Sequence, residues 1–173
     1  MKFEINKNIV LIGMPGAGKS TVGVILAKML GFTFTDTDIV IQDKTKKLLS
    51  EIIKEKGPEG FLNAENEILS GITLKNSVIA TGGSAVFGAD AMKNLKENGI
   101  FVYLYLPYEK IADRLSDIKN RGVVFKEGES LYDIYNERKP LYEKYADITI
   151  DETGLGIEET IRETIKKIGE YSN

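Results

Sequence analysis

The sequence predicts an α/β domain of three layers, a central parallel sheet covered by helices on both faces. Three observations predict it. Apolar runs of strand length alternate with segments of helical spacing along the whole chain. The connections are long enough for crossovers, which in parallel sheets are right-handed. The first strand ends in a glycine-rich turn that opens a helix.

Taken in order, residues 5–12 end in an unbroken apolar run at Gly13 and read as a strand buried on both faces. Val22, Ile25, Leu26, Met29 and Leu30 lie at helical spacing in residues 20–30, and Gly31 stops that helix. Phe32 and Phe34 alternate in a short strand ending at Asp36. Residues 37–74 are helical in two or three pieces, one broken at Gly57-Pro58, with Phe61, Ala64, Ile68 and Leu69 aligned on the next. Residues 77–80 form a strand running into Gly82-Gly83, 88–97 a helix, and 100–106 another buried strand. A helix over 108–118 precedes a charged, Gly-containing stretch at 119–130 with little periodicity. Helix 131–145, a short strand at 148–150 and an amphipathic helix over 157–168 complete the chain. With no internal repeat or linker, residues 1–173 form one domain.

Composition narrows the chemistry. The chain is 42% hydrophobic and 28% charged, ordinary for a globular protein, with 23 Lys+Arg against 26 Asp+Glu. A net charge of −3 gives no basic excess for nucleic acid or an anionic membrane, so neither partner is expected. There is no Cys, which excludes disulfides and thiolate sites. There is no His either, so a general base working near neutral pH must be a carboxylate, Lys or Tyr. Residues 1–12 do not read as a signal peptide, and no apolar stretch is long enough to span a bilayer. A cytoplasmic monomer is the expectation.

The strongest motif is Gly13-Met14-Pro15-Gly16-Ala17-Gly18-Lys19-Ser20-Thr21, which fits G-x-x-x-x-G-K-[ST] between a buried strand and a helix. Such a loop folds its backbone N–H groups, here those of Gly16, Gly18, Lys19 and Ser20, around phosphate oxygens at a helix N-terminus. Lys19 adds a full positive charge for the β- and γ-phosphates, and Ser20 a hydroxyl for Mg²⁺. Met14, Pro15, Ala17 and Thr21 complete the nucleotide-binding set. The motif predicts a nucleotide, with ATP and Mg²⁺ as cofactors. No guanine-reading N/T-K-x-D follows, and the run at 100–106 closes on Pro107 rather than on Asp-Glu. A small metabolite or nucleotide kinase remains.

Together with L-A-K-M-L-G (26–31), F-T-D-T-D (34–38), A-T-G-G-S (80–84) and E-R-K-P-L-Y (137–142), the loop resembles the shikimate kinases in order and spacing over nearly the whole chain. The resemblance implies a P-loop kinase fold that moves the γ-phosphoryl group of ATP onto a hydroxyl of shikimate, in aromatic amino-acid biosynthesis. It implies that Asp36 helps hold Mg²⁺, where an Asp before Thr-Asp is also a common helix cap. It implies that Asp38 binds the acceptor and orients or deprotonates its hydroxyl, where a solvated first-turn Asp is the alternative. Gly82 and Gly83 would bring N–H groups to the acceptor, or simply turn the chain. Arg138 would pair with an acceptor carboxylate, or with surface glutamates. Arg121 would reach over the phosphates from a lid at 119–130, or sit in a merely mobile loop. Arg114 would stack on adenine, or lie on a helix surface. Residues 39–74 would form a helical acceptor-binding insertion.

The match has departures. Family members usually carry Arg directly after the Phe that aligns with Phe61; here Leu62 and Asn63 follow. Ser84 replaces a third Gly, and the lid reads R-G-V-V. Other acceptors such as gluconate or homoserine, and a nucleotide-binding regulatory module without acceptor chemistry, therefore stand as alternatives.

Overall fold

In the computed structural model, which describes residues 5–116 and 126–172, strands and helices alternate from end to end. Strand β1 (Asn8–Ile12) leads to α1 (Lys19–Leu30), and β2 (Thr33–Asp36) to α2 (Thr37–Thr45) and α3 (Leu49–Ser70). A 3-10 turn at Ala85–Phe87 follows β3 (Ser77–Ala80) and precedes α4 (Ala89–Glu97). Then come β4 (Gly99–Tyr105), α5 (Tyr108–Ser116), α6 (Leu131–Tyr145), β5 (Ile148–Asp151) and α7 (Ile157–Ser172).

The strands form one parallel sheet in the order β2-β3-β1-β4-β5, as the alternation predicts. Central β1 pairs with β3 (Val10 opposite Ile79) and with β4 (Val10 opposite Phe101). All five of its residues are buried, which is why that run carries no polar alternation. Burying each such aliphatic side chain stabilises the fold by roughly 1.5–3 kcal/mol. Helices α1 and α7 pack on each other, with α1 against β2 and β3 and α7 against β5. Helices α4 and α6 pack on β4, and α3 lies along α4. No helix among the described residues is long and apolar enough to cross a membrane.

Two details differ from expectation. The Gly57-Pro58 break is a kink inside α3: Gly57 adopts φ +71°, ψ 175°, a backbone that glycine tolerates, and the chain resumes its helix at Pro58. Strand β1 starts only at Asn8, whose side-chain amide donates to Leu74 O (2.7 Å) and accepts from Ser77 N–H (3.0 Å). That side chain braces the start of β3.

Candidate active site

Adjacent strands β1 and β3 end side by side, and Thr81 locks their ends together through N–H and Oγ1 bonds to Leu11 O at 3.1 and 2.9 Å. The loop after β1 and the turn after β3 therefore face one another. Between them opens a cavity of about 650 Å³, walled by Pro15, Gly16, Gly18–Thr21, Asp36, Asp38, Gln42, Leu48–Ser50, Phe61, Thr81–Ser84, Arg114 and Arg138. Of the expected nucleotide-binding set, Met14 and Ala17 are buried behind this wall rather than on it.

The loop is shaped for an anion. Gly16 (φ +81°) and Gly18 (φ +90°) hold left-handed conformations, and Ala17 N–H donates to Met14 O (3.1 Å) to close the turn. Gly18 caps α1 with no side-chain acceptor, and the first turn contains no acidic residue. The orphan N–H groups of a helix start are thus left for an incoming phosphate. Lys19 Nζ is buried and donates to Gly13 O and Met14 O, both at 2.8 Å. Burial lowers its pKa to about 8, against the opposing pull of Asp38 and Asp36.

Asp36 does two jobs at once. Its Oδ1 accepts from Asp38 N–H (3.0 Å), capping α2, while its Oδ2 accepts from Ser20 Oγ (2.7 Å). The cap and the expected metal role are compatible because they use different oxygens. One hydroxyl and one carboxylate as neighbours suit Mg²⁺, which takes few protein oxygens and keeps waters and phosphate oxygens. No cluster of three or more His, Cys, Asp or Glu among the described residues offers a fuller cage.

Across the cavity, Asp38 is mostly enclosed, and burial followed by the nearby Asp36 charge raises its pKa above the usual aspartate value. Gly82 and Gly83 are tightly held. A Cβ on Gly82 would lie 2.8 Å from Asp38 Oδ1 and 2.9 Å from Glu65 Oε1. A Cβ on Gly83 would lie 2.7 Å from Pro15 Cδ and 3.0 Å from an Arg138 guanidinium nitrogen. A side chain would have to displace the Asp38 and Glu65 carboxyl groups at Gly82, or press on the Pro15 ring at Gly83, so these glycines do more than turn the chain. The N–H of Gly82 donates to Thr37 Oγ1 (3.0 Å), which leaves Gly83 N–H as the one of the pair with no acceptor among the described residues. Arg138 is 3% exposed, with its guanidinium carbon 5.6 Å from the centre of the Phe87 ring, and it lines the cavity. The surface glutamates have other partners: Glu137 pairs with Lys126, and Glu143 with Lys139. Arg114 reaches back from α5 to donate to Gly16 O (3.0 Å), which puts it on the phosphate loop. Arg121, with most of the stretch at 119–130, lies outside the described residues.

The shikimate kinase family model matches residues 15–169. The shikimate kinase of Thermodesulfovibrio yellowstonii is 42% identical, over 96% of this chain and 98% of that one. The chain belongs to the shikimate kinase family. The structure of the Acinetobacter baumannii shikimate kinase in complex with shikimate superposes with a TM-score of 0.84 at 38% identity, over 96% of this chain and 94% of that one. A gluconokinase from Sinorhizobium meliloti, at TM-score 0.60 and 17% identity, covering 98% of this chain and 95% of its own, shares the fold alone.

Beside the residues expected of a shikimate kinase, the structure brings in three that sequence reading missed. Glu65 is 2% exposed, and burial raises its pKa to about 7 despite a bond from Ser84. Its signal was available: it sits between Phe61 and Leu69 at spacings of four, a charge in an apolar row. Tyr142 is fully buried and bonds Gly83 O. Glu152, buried beyond β5, has its pKa raised to about 7 by burial, opposed by Arg114 and a bond from Thr160.

Proposed function

We propose that this chain transfers the γ-phosphoryl group of ATP to a hydroxyl of shikimate, with Mg²⁺ as cofactor. The observation that carries the reading is the facing pair of walls. A phosphate-shaped loop stands opposite Asp38, Gly83 and a buried Arg138, so a carboxylate-bearing polyol fits the end away from the nucleotide.

On this reading Lys19 neutralises charge on the β- and γ-phosphates. Asp36 and Ser20 would hold Mg²⁺, which would supply positive charge beside the phosphate oxygens. Asp38 orients the attacking hydroxyl and takes its proton; with no His in the chain, a carboxylate of raised proton affinity is suited to that step. Arg138 pairs with the acceptor carboxylate, Gly83 N–H adds a hydrogen bond, and Arg114 covers the nucleotide beside Gly16. Residues 39–74 form the acceptor-binding insertion. Most of the rate gain then comes from positioning and fixed charge. The enzyme works as a cytoplasmic monomer.

A second reading, phosphorylation of another small hydroxy acid, draws on Leu62, which packs into the apolar cluster of Ile41, Ile52 and Phe61 and supplies no cation to the cavity. One experiment addresses both: ADP release from ATP·Mg²⁺ measured alone and with a panel of shikimate, gluconate and homoserine. Shikimate-dependent release supports the main reading, and release with another member instead replaces shikimate as the acceptor. No acceptor-dependent release leaves a nucleotide-binding module and overturns the kinase.

A further inference from the structure

Three consecutive residues of the turn after β3 are each tied to a different helix. Gly82 N–H bonds Thr37 of α2, Gly83 O accepts from Tyr142 of α6, and Ser84 Oγ donates to Glu65 Oε2 of α3 at 2.7 Å. The third tie is the unusual one. Glu65 is buried and has no ion pair with Lys or Arg among the described residues, and its Oε1 has no hydrogen-bond partner. One turn earlier on α3, Leu62 turns to the apolar cluster and offers it nothing polar. Ser84 is thus what holds this carboxyl. Oε1, left over, faces the point behind Gly82 that Asp38 Oδ1 also faces.

We propose that Ser84 is a positioning residue for the acceptor: its bond to Glu65 fixes the carboxyl beside Asp38 and anchors the Gly83 N–H at the cavity wall. This rests on reading the cavity as the acceptor pocket. Without the hydroxyl, the buried Glu65 carboxyl loses its hydrogen-bond donor and both of its oxygens are left without a partner among the described residues. The carboxyl then takes up a proton more readily or turns toward Gly83, and the wall beside Asp38 loosens. Three other groups face it and share its field: Asp38 from α2, and Arg138 and Tyr142 from α6.

The test compares wild type with Ser84→Ala and Ser84→Gly, the latter guarding against a misfolded alanine variant, since Ser84 has an ordinary helical backbone (φ −90°, ψ −9°). The expected result is an acceptor KM raised about fivefold, the size of one lost hydrogen bond, with the ATP KM within about twofold of wild type. The Glu65 carboxyl carbon, followed by NMR, titrates at higher pH in the variants, because the lost bond had favoured the charged form. In a Glu65→Leu background, which has no acceptor for the hydroxyl, the Ser84→Ala effect on acceptor KM shrinks below about twofold, since the two residues act as one unit. A wild-type acceptor KM in both Ser84 variants overturns the proposal, and so does an undiminished effect in the Glu65→Leu background. Absence of shikimate turnover in wild type is a different failure: it removes the functional reading, while the NMR titration still reports whether Ser84 governs Glu65.

Discussion

The Tyr142 hydroxyl donates to the carbonyl oxygen of Gly83 across 2.6 Å, joining α6 to the turn that walls the cavity opposite the glycine-rich loop. Arg138 lies one helical turn earlier on the same helix, so a single element carries both the cation and the brace. Tyr142→Phe keeps the ring but leaves that carbonyl unmet. The expected cost is about 1 kcal/mol of stability, read from the denaturation midpoint, with the acceptor KM rising more than the ATP KM. An equal rise in both constants would contradict a role confined to the acceptor wall.

Lys19 combines function with instability. Below its lowered pKa of about 8 the buried ammonium is charged at a cost to the folded state, partly offset by two carbonyl acceptors. Lys19→Met should cut turnover by roughly 10²-fold or more, as loss of a preorganised charge does, without lowering the melting temperature. Normal turnover in this variant would show that the loop is not the phosphate site.

Asp38→Asn keeps the shape of the cavity wall and removes the proposed base. The rate should fall by roughly 10²- to 10⁴-fold, the usual contribution of general base catalysis. Nucleotide affinity, measured by calorimetry with Mg²⁺, should change little. In wild type the acid limb of the kcat/KM profile should lie above the ordinary aspartate range, because burial and Asp36 both favour the protonated form. A limb at or below that range would place the proton elsewhere.

Glu65 and Glu152 set a pH dependence of stability. Burial raises both from 4.5 to about 7, so the folded chain binds more protons than the unfolded chain across that window. Stability from these groups is complete below pH 4.5 and is lost as pH rises through 7. Glu65→Gln removes one of them, and its melting temperature should gain on wild type as pH is raised from about 5 to about 8. A constant difference across that range would mean that Glu65 is not held protonated.

Leu62→Arg places a guanidinium one turn before Glu65, within reach of it on α3. A lower shikimate KM would show that the pocket accepts a second cation for the carboxylate. An unchanged or higher value would show that Arg138 alone sets the recognition.

The parts of the site legible in the sequence were those written in consecutive residues. The phosphate loop is one unbroken segment, and its strand and helix flanks are local patterns, so Lys19, Ser20 and the glycines could be placed before any tertiary contact was known. Asp36, Asp38 and Arg138 became legible only through resemblance, since an Asp or Arg in isolation reads equally well as a cap or a surface ion pair. Glu65, despite its place in an apolar row, and Tyr142 were hard to read for a physical reason. Their meaning lies in partners 19 and 59 residues away, and a Glu in a helix is ordinarily solvated. The expectation for Gly82 was incomplete in the same way, because the hydroxyl of Thr37, 45 residues earlier, claims its N–H. The start of β1 slipped because Ile5 is apolar and buried yet lies outside the ladder, which begins at the Asn8 brace.

Strands β1 and β3 are hydrogen-bonded neighbours, and the loop and turn they launch stand about one ladder rung apart at the root, near 4.8 Å. On the proposed function, the main chain therefore acts as a ruler between the two halves of the reaction. Exchanging side chains on either wall changes what is gripped; the calibration stays with the sheet. A lineage could in this way trade one acceptor for another by editing α2 and α3 while the donor-to-acceptor span is inherited untouched.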